Sequence, residues 1–264
     1  MKRQDAPPKV SGWFQDGFHR FLRRYLRKNF HAIAVHRQQA SFDIGTETPL
    51  MVYGNHPSWW DPMIAHFLNR TLMVGRQFYA PIDHAALQKY RVLGKLGFYG
   101  VDLESNRGAA EFLQRSMSII SSPGTAIWLT PEGRFVDARD HGQPLMPGLA
   151  HLCKKADSGH AIPLALEYVF WDEKLPVCLA KFGEPIALAG FQERDKATWN
   201  EVLTTAFRTN QLELAEDSKA RSAEPFENLL KGKRGAGSFY DSFRRAKSVA
   251  SGKQFRAPHG DQFE

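Results

Sequence analysis

Leu50-Met51-Val52-Tyr53-Gly54-Asn55-His56-Pro57-Ser58-Trp59-Trp60-Asp61-Pro62 is the stretch on which the reading of this chain turns. Its first four residues form a short apolar run, the pattern of a strand buried on both faces. Gly54 and Asn55 end that run, since both residue types favour turns over extended pairing. His56 then falls in a loop. Asp61-Pro62 opens a helix, with Asp61 as N-cap and Pro62 at the first helical position, where its missing N–H costs nothing. A histidine and a carboxylate with four residues between them are thus delivered to the end of a strand. In open α/β sheets, reactive groups and ligands gather at that edge.

Outward from this stretch, short apolar runs alternate with amphipathic ones. Leu50–Tyr53, Leu72–Val74, Tyr99–Leu103, Ala126–Leu129, Ile162–Val169 and Val177–Phe182 read as strands. Pro62 to Asn69 reads as a helix, as does Gly108 to Ser121, with Phe112, Leu113, Met117 and Ile120 inward. Residues 147–156 make a short helix, and Thr198 to Leu214 a longer one with Trp199, Val202, Leu203 and Phe207 on its apolar side. Strand-helix alternation predicts a single α/β domain, a sheet covered by helices.

Charge divides the 264 residues into three parts. Residues 1–40 carry nine Lys/Arg against two Asp/Glu, a net +7; residues 41–218 carry 16 against 21, a net −5; residues 219–264 carry ten against five, a net +5. The reading is a basic N-terminal helical segment, a mildly acidic body and a basic C-terminal tail, partly ordered. A nucleic-acid enzyme would set its basic residues along the body that grips the strand. Basic ends on an acidic body point instead to an anionic surface such as a membrane. Cys153 and Cys178 form no CxxC or His-Cys cluster, which argues against a disulfide framework or structural zinc. Met1 to Val10 lacks the apolar core of a secretory signal, and no run approaches the ~18 apolar residues of a membrane span.

Within the N-terminal segment, Trp13, Phe14, Phe18, Phe21, Leu22, Tyr25 and Leu26 recur at helical spacing, opposite Arg20, Arg23, Arg24, Arg27 and Lys28. An aromatic face against a basic one is the pattern of a helix lying in a membrane interface. It is equally the pattern of a helix packed on its own domain, and the two readings are compatible.

The chemistry follows from the residue types. A neutral imidazole can accept a proton from an attacking hydroxyl if a partner fixes its tautomer and stabilises the resulting imidazolium. Asp61 can be that partner for His56, in the manner of the His-Asp half of a serine triad. The chain has no G-x-S-x-G nucleophile elbow. A His-Asp pair without a nucleophile implies that the substrate brings the hydroxyl. The plainer reading, in which Asp61 only starts a helix, does not exclude this, because a carboxylate has two oxygens. The second constellation is Thr130-Pro131-Glu132-Gly133-Arg134 after the Ala126–Leu129 strand. Such a turn sets backbone N–H groups, a carboxylate and a guanidinium at one edge, where they can hold an anionic group. His31, His36, His66, His84, His141, His151 and His160 show no ligand spacing. Trp59 and Trp60 lie inside the His-Asp loop and read as walls of the site.

Taken in order, Asn55-His56-x4-Asp61, Pro131-Glu132-Gly133 and Ile162-Pro163-Leu164 resemble the glycerolipid acyltransferase superfamily, the lysophosphatidic acid acyltransferase-like proteins. The resemblance covers roughly residues 40–190. It implies a mixed, mostly parallel sheet flanked by helices, with a hydrophobic groove for an acyl chain. It implies that His56 is the general base and Asp61 its orienting partner, for O-acyl transfer from acyl-CoA or acyl-carrier protein to a lysophospholipid or related lipid hydroxyl. It further implies that Glu132 and Gly133 bind the acceptor, that Pro163 belongs to the block linked to the donor, and that neither metal nor cofactor is needed beyond the thioester co-substrate. A peripheral place on the cytoplasmic face of a membrane, facing anionic lipids, fits the same resemblance.

Two departures bear on the acceptor. The family's second block ends in an acidic residue followed by Arg, but here Val101-Asp102 precedes Leu103 and the next arginine is Arg107. The third block reads Pro-Glu-Gly-Thr-Arg in the family, but here Arg134 directly follows Gly133. Arginine is the residue suited to bidentate phosphate contact. Arg107 and Arg134 are therefore the candidates to grip a phosphate by another route; otherwise the acceptor is another lysolipid or a glycolipid hydroxyl without phosphate. An acyl-thioester or lipid hydrolase, and a non-catalytic lipid-binding module, are the alternatives.

Overall fold

Why β2 (Leu50–Gly54) is apolar throughout is plain in the computed structural model, which describes residues 6–39, 44–102, 105–191, 193–232 and 263. Every residue of β2 is buried, because helices cover both faces of the sheet at this strand. Leu50 and Val52 face one core with Ile64, Phe67 and Leu68; Met51 and Tyr53 face a second core with Leu152, Trp199, Leu203 and Phe207.

The chain runs α1 (Gly12–Asn29), β1 (Ala32–His36), β2, α2 (Asp61–Leu72), β3 (Gln77–Asp83), α3 (His84–Lys89), β4 (Phe98–Val101), α4 (Asn106–Ile120), β5 (Thr125–Leu129), α5 (Pro147–Lys155), β6 (His160–Val169), β7 (Val177–Phe182), β8 (Ile186–Ala187), α6 (Lys196–Ala220) and β9 (Phe226–Lys231). The sheet order is β4-β3-β5-β2-β6-β7-β1-β9, with β8 paired to β6. From β4 to β6 all pairs are parallel; β7 runs antiparallel to β6, β1 parallel to β7, and β9 antiparallel to β1. This is the mixed, mostly parallel α/β sheet that the sequence implies, in one domain.

The topology places the site. Through α2 the chain leaves β2 for β3 on one side, and through α5 it leaves β5 for β6 on the other side of β2. The carboxyl end of β2 therefore lies where the winding direction changes, the crevice at which open α/β sheets bind ligands. Because β2 and β5 are parallel neighbours, with Tyr53 opposite Leu129, the loops that follow them leave from the same edge.

The expected strand at Leu72–Val74 does not form. Leu72 is the last residue of α2, the Met73 N–H donates to Asn69 O, and Val74 stands exposed in the turn. The strand comes later, as β3. Pro81 within it lacks a ladder donor, but it lies beyond the Gln77–Tyr79 stretch paired to β5 and has only β4 as a neighbour. Two further strands join the sheet from segments that read as helical and as tail: β1 directly after α1, and β9 at the start of the stretch beyond residue 218.

Helix α1 resolves its own ambiguity in part. Ser11 caps it, its hydroxyl accepting from the Phe14 N–H. Leu22 and Leu26 are wholly buried in the main core, with Phe14 and Phe18 packed partly buried against it, and each buried leucine contributes roughly 1.5–3 kcal/mol. Gln15 donates to Leu96 O at 2.8 Å, and Arg70 pairs with Asp16. Most of the aromatic face thus packs on the domain. Trp13 and Phe21 do not; they are 82% and 57% exposed. Among the described residues, no helix is long and apolar enough to cross a membrane.

Candidate active site

His56 enters the site from the end of β2, and Asn55 fixes where it starts. The Asn55 side chain behaves as one more strand residue: its Nδ2 donates to Leu166 O at 2.9 Å and its Oδ1 accepts from Leu166 N at 2.8 Å. The pairing of β2 with β6 is thereby prolonged by a side chain, and the following loop begins from a rigid point.

The His56 Nδ1–H donates to Asp61 Oδ2 at 2.6 Å. A carboxylate can only accept, so this contact puts the proton on Nδ1 and leaves Nε2 with a lone pair for a substrate proton. Asp61 is the first residue of α2 rather than its N-cap. Trp60 holds the cap position without a side-chain hydrogen bond. The reason is local: the Asp61 carboxylate turns back over its own loop, where Oδ2 also accepts from the Ser58 N–H at 2.9 Å. Its other oxygen, Oδ1, accepts from the Tyr168 hydroxyl at 2.6 Å. Asp61 is buried, whereas the His56 side chain keeps 19% of its surface. Burial first, and then the neighbouring Cys178 and Asp61, hold the Tyr168 phenol well above its ordinary range, so it stays a donor.

The loop after β5 closes over the pair. Val136 N–H donates to His56 O at 3.1 Å, and the Phe135 ring lies 4.2 Å from the His56 ring, centroid to centroid. Phe135 is itself exposed, as is Trp59, which stacks on Trp60 at 4.6 Å. Trp60 packs in turn on Phe30 and on Tyr25 of α1. An aromatic path thus joins the His-Asp loop to the N-terminal helix.

The remaining residues singled out in the sequence fall in three places: the loop after β5, strand β6 and helix α4. Glu132, Gly133 and Arg134 lie in the adjacent loop. Gly133 takes φ +69°, and a Cβ there would sit 2.4 Å from Met146 Sδ, so the turn needs glycine. Glu132 points inward: its Oε1 pairs with Arg208 Nη1 of α6 at 2.9 Å, and Arg208 also donates to Gln211 Oε1 and to Gln143 O. Arg134 is exposed and donates to Gln143 Oε1. Pro163 lies inside β6, opposite Tyr53, between the stretches paired to β8 and to β7, where no donor is required of it. Arg107 lies in the first turn of α4, after β4, which stands three strands from β2 in the sheet order, and its Nε donates to Glu111 Oε1 at 3.1 Å.

Four contributors escaped the sequence reading of roles: Tyr168, Arg208, Phe135 and the pairing role of Asn55. Arg208 and Tyr168 act across 76 and 107 residues, and only the three-dimensional register brings them in. Phe135 adjoins the Pro-Glu-Gly turn, so proximity to that motif was the available signal. Among the described residues, no three His, Cys, Asp or Glu side chains converge as a metal site requires.

A model of the acyltransferase family matches residues 27–167, more than half of the chain. The chain belongs to the acyltransferase family. The resemblance read from its motifs is thereby borne out, and the matched span includes His56, Asp61, Arg107, Glu132, Gly133, Arg134 and Pro163. Tyr168 and Arg208 of this acyltransferase lie outside it. Among curated proteins, none matches the sequence.

Proposed function

We propose that this acyltransferase moves a fatty acyl group from an acyl thioester, acyl-CoA or acyl-carrier protein, to a hydroxyl of a lysophospholipid or related lipid at a membrane surface. The observation that carries the reading is the 2.6 Å contact between His56 Nδ1 and Asp61 Oδ2 at the switch point of the sheet. His56 Nε2 takes the acceptor's hydroxyl proton as its oxygen attacks the thioester carbonyl. The new C–O bond forms, the C–S bond breaks, and the departing thiolate recovers the proton from the imidazolium. Asp61 stabilises that imidazolium throughout. The products are an ester and a free thiol, with no acyl-enzyme between.

A membrane as partner is supported by α1. Exposed Trp13 and Phe21 stand among exposed Arg20, Arg23, Arg24, Arg27 and Lys28, a combination suited to anionic lipid. A phosphate-free acceptor is a second reading, favoured by one observation: Arg107, Arg134 and Arg208 each donate to a protein acceptor. The test is a panel of lysophospholipids and glycolipids offered with labelled acyl-CoA, read by product mass. Acylated lipid of either class supports acyl transfer and names the acceptor. Free fatty acid alone, undiminished by any lipid acceptor, contradicts it in favour of a hydrolase.

A further inference from the structure

We propose that Tyr168 is a positioning residue of the site, acting through Asp61 to set the orientation and proton affinity of the His56–Asp61 pair. The inference rests on the general-base reading above.

The geometry is complete on three sides. Asp61 Oδ2 is shared by His56 Nδ1 and the Ser58 N–H, both from its own loop, while Oδ1 has the Tyr168 hydroxyl at 2.6 Å. Tyr168 comes from β6, on the face of the sheet it shares with Leu164 and Leu166. The loop that carries the His-Asp pair is therefore tied to the sheet through a side-chain oxygen, and Asn55 ties its other end to the same strand through Leu166. A loop held at two points on one strand keeps the carboxylate where the imidazole needs it.

Other titratable groups facing the pair are few among the described residues. Tyr168 from β6 and its cross-strand neighbour Cys178 from β7 face Asp61, and burial also raises the Cys178 thiol well above its ordinary range. Phe135 faces His56 from the loop after β5, and Glu167, the other side of β6 from Tyr168, pairs with Arg139. Donation from the phenol draws negative charge toward Oδ1 and away from the oxygen that faces the imidazole. Without that donor, more charge remains on Oδ2, the imidazolium is favoured, and the free base is present over a narrower range of pH.

Tyr168→Phe removes the hydroxyl and keeps the ring against Phe30. With labelled acyl-CoA and whichever lipid of the panel above is acylated, the expected result in the folded variant is a fall of about tenfold in kcat/KM, carried by kcat, as for loss of an outer-shell partner. The acid limb of the pH–rate profile should also move upward by about half a unit. In an Asp61→Asn background the same substitution should add neither effect. A merely structural role would lower the melting temperature and leave the acid limb in place. Fluorotyrosine at position 168 guards against a misfolded variant. It keeps the shape and strengthens the donor, so the acid limb should move downward. An unmoved limb with either replacement, or a Tyr168→Phe loss that persists in full beside Asp61→Asn, overturns the proposal. The parent reading fails separately: if His56→Ala retains turnover, the general-base mechanism falls whatever Tyr168 does. If His56→Ala is dead while Tyr168→Phe is wild type, only this inference falls.

Discussion

The backbone N–H of Val136 donates to the carbonyl of His56 at 3.1 Å, so the loop after β5 is fastened to the loop after β2 at the residue proposed as the base. The same fastening lays the Phe135 ring on the imidazole. Phe135 is 61% exposed and makes little of the core. Phe135→Ala should therefore leave stability within about 0.5 kcal/mol of wild type, as for ordinary surface positions. It should lower kcat/KM several-fold by opening the imidazole to water. Thermal melts beside steady-state kinetics check this; a stability loss matching the activity loss would make Phe135 a packing residue instead.

Glu132 gives a prediction of the opposite kind. Its side chain is wholly buried, and its partner Arg208 is 12% exposed. Removing one member leaves a charge without its counterion, which costs about 3–5 kcal/mol at buried pairs. Glu132→Ala should be destabilised on that scale in urea titrations. Glu132→Leu combined with Arg208→Met should recover much of it. If Glu132→Ala matched wild type in stability, the ion pair would not be what holds the turn.

His66 predicts an acid-side loss of stability. Its ring is wholly buried between Phe18 and Phe78, and burial first, then His19 and Arg70, push its pKa down to about 3. The unfolded chain takes up this proton near pH 6.5, the folded chain only near 3. Between those values the unfolded state binds more protons, so stability falls as pH falls, by up to about 1.4 kcal/mol per unit. His19, lowered by burial and Arg70, acts in the same direction. Denaturation from pH 7 to pH 4 should show a shallower slope for His66→Phe than for wild type. Identical slopes would remove His66 from the account.

Membrane association is best tested with point substitutions. Leu22, Leu26 and Phe30 belong to the main core and β1 pairs with β7, so deleting residues 1–40 would unfold the domain. Trp13→Ala with Phe21→Ala, and separately Arg20, Arg23, Arg24 and Arg27→Glu, leave that core intact. Each arginine near an anionic surface contributes about 1 kcal/mol, screened by salt. Flotation with phosphatidylserine-containing vesicles should weaken for both sets, and wild-type binding should weaken with added salt. Binding unchanged in both variants would separate α1 from the membrane.

Local pattern made much of this protein legible. β2 is apolar on both faces because both faces are covered, and β7 was readable with its exact bounds for the same reason. β3 is hard to read because Pro81 and a polar start disguise a strand that pairs with β5 over Gln77–Tyr79 and with β4 over Ala80–Asp83. β1 and β9 were hidden by context: one follows a helix directly, and the other opens a charged, glycine-rich stretch. At the site, His56 and Asp61 share one short loop, and their spacing alone suggested their contact. Tyr168 carries no local mark, because its partner is fixed by the β2–β6 register. The same holds for Arg208, which reaches Glu132 only because α6 packs across the sheet.

The central claim is that His56 is the base for acyl transfer, and turnover of purified His56→Ala tests it most directly. The variant should keep the wild-type melting profile and lose acylated product by about three orders of magnitude or more, since the base and its proton path vanish together. Wild-type turnover in the folded variant, measured by product mass with the same thioester and acceptor, would contradict the account.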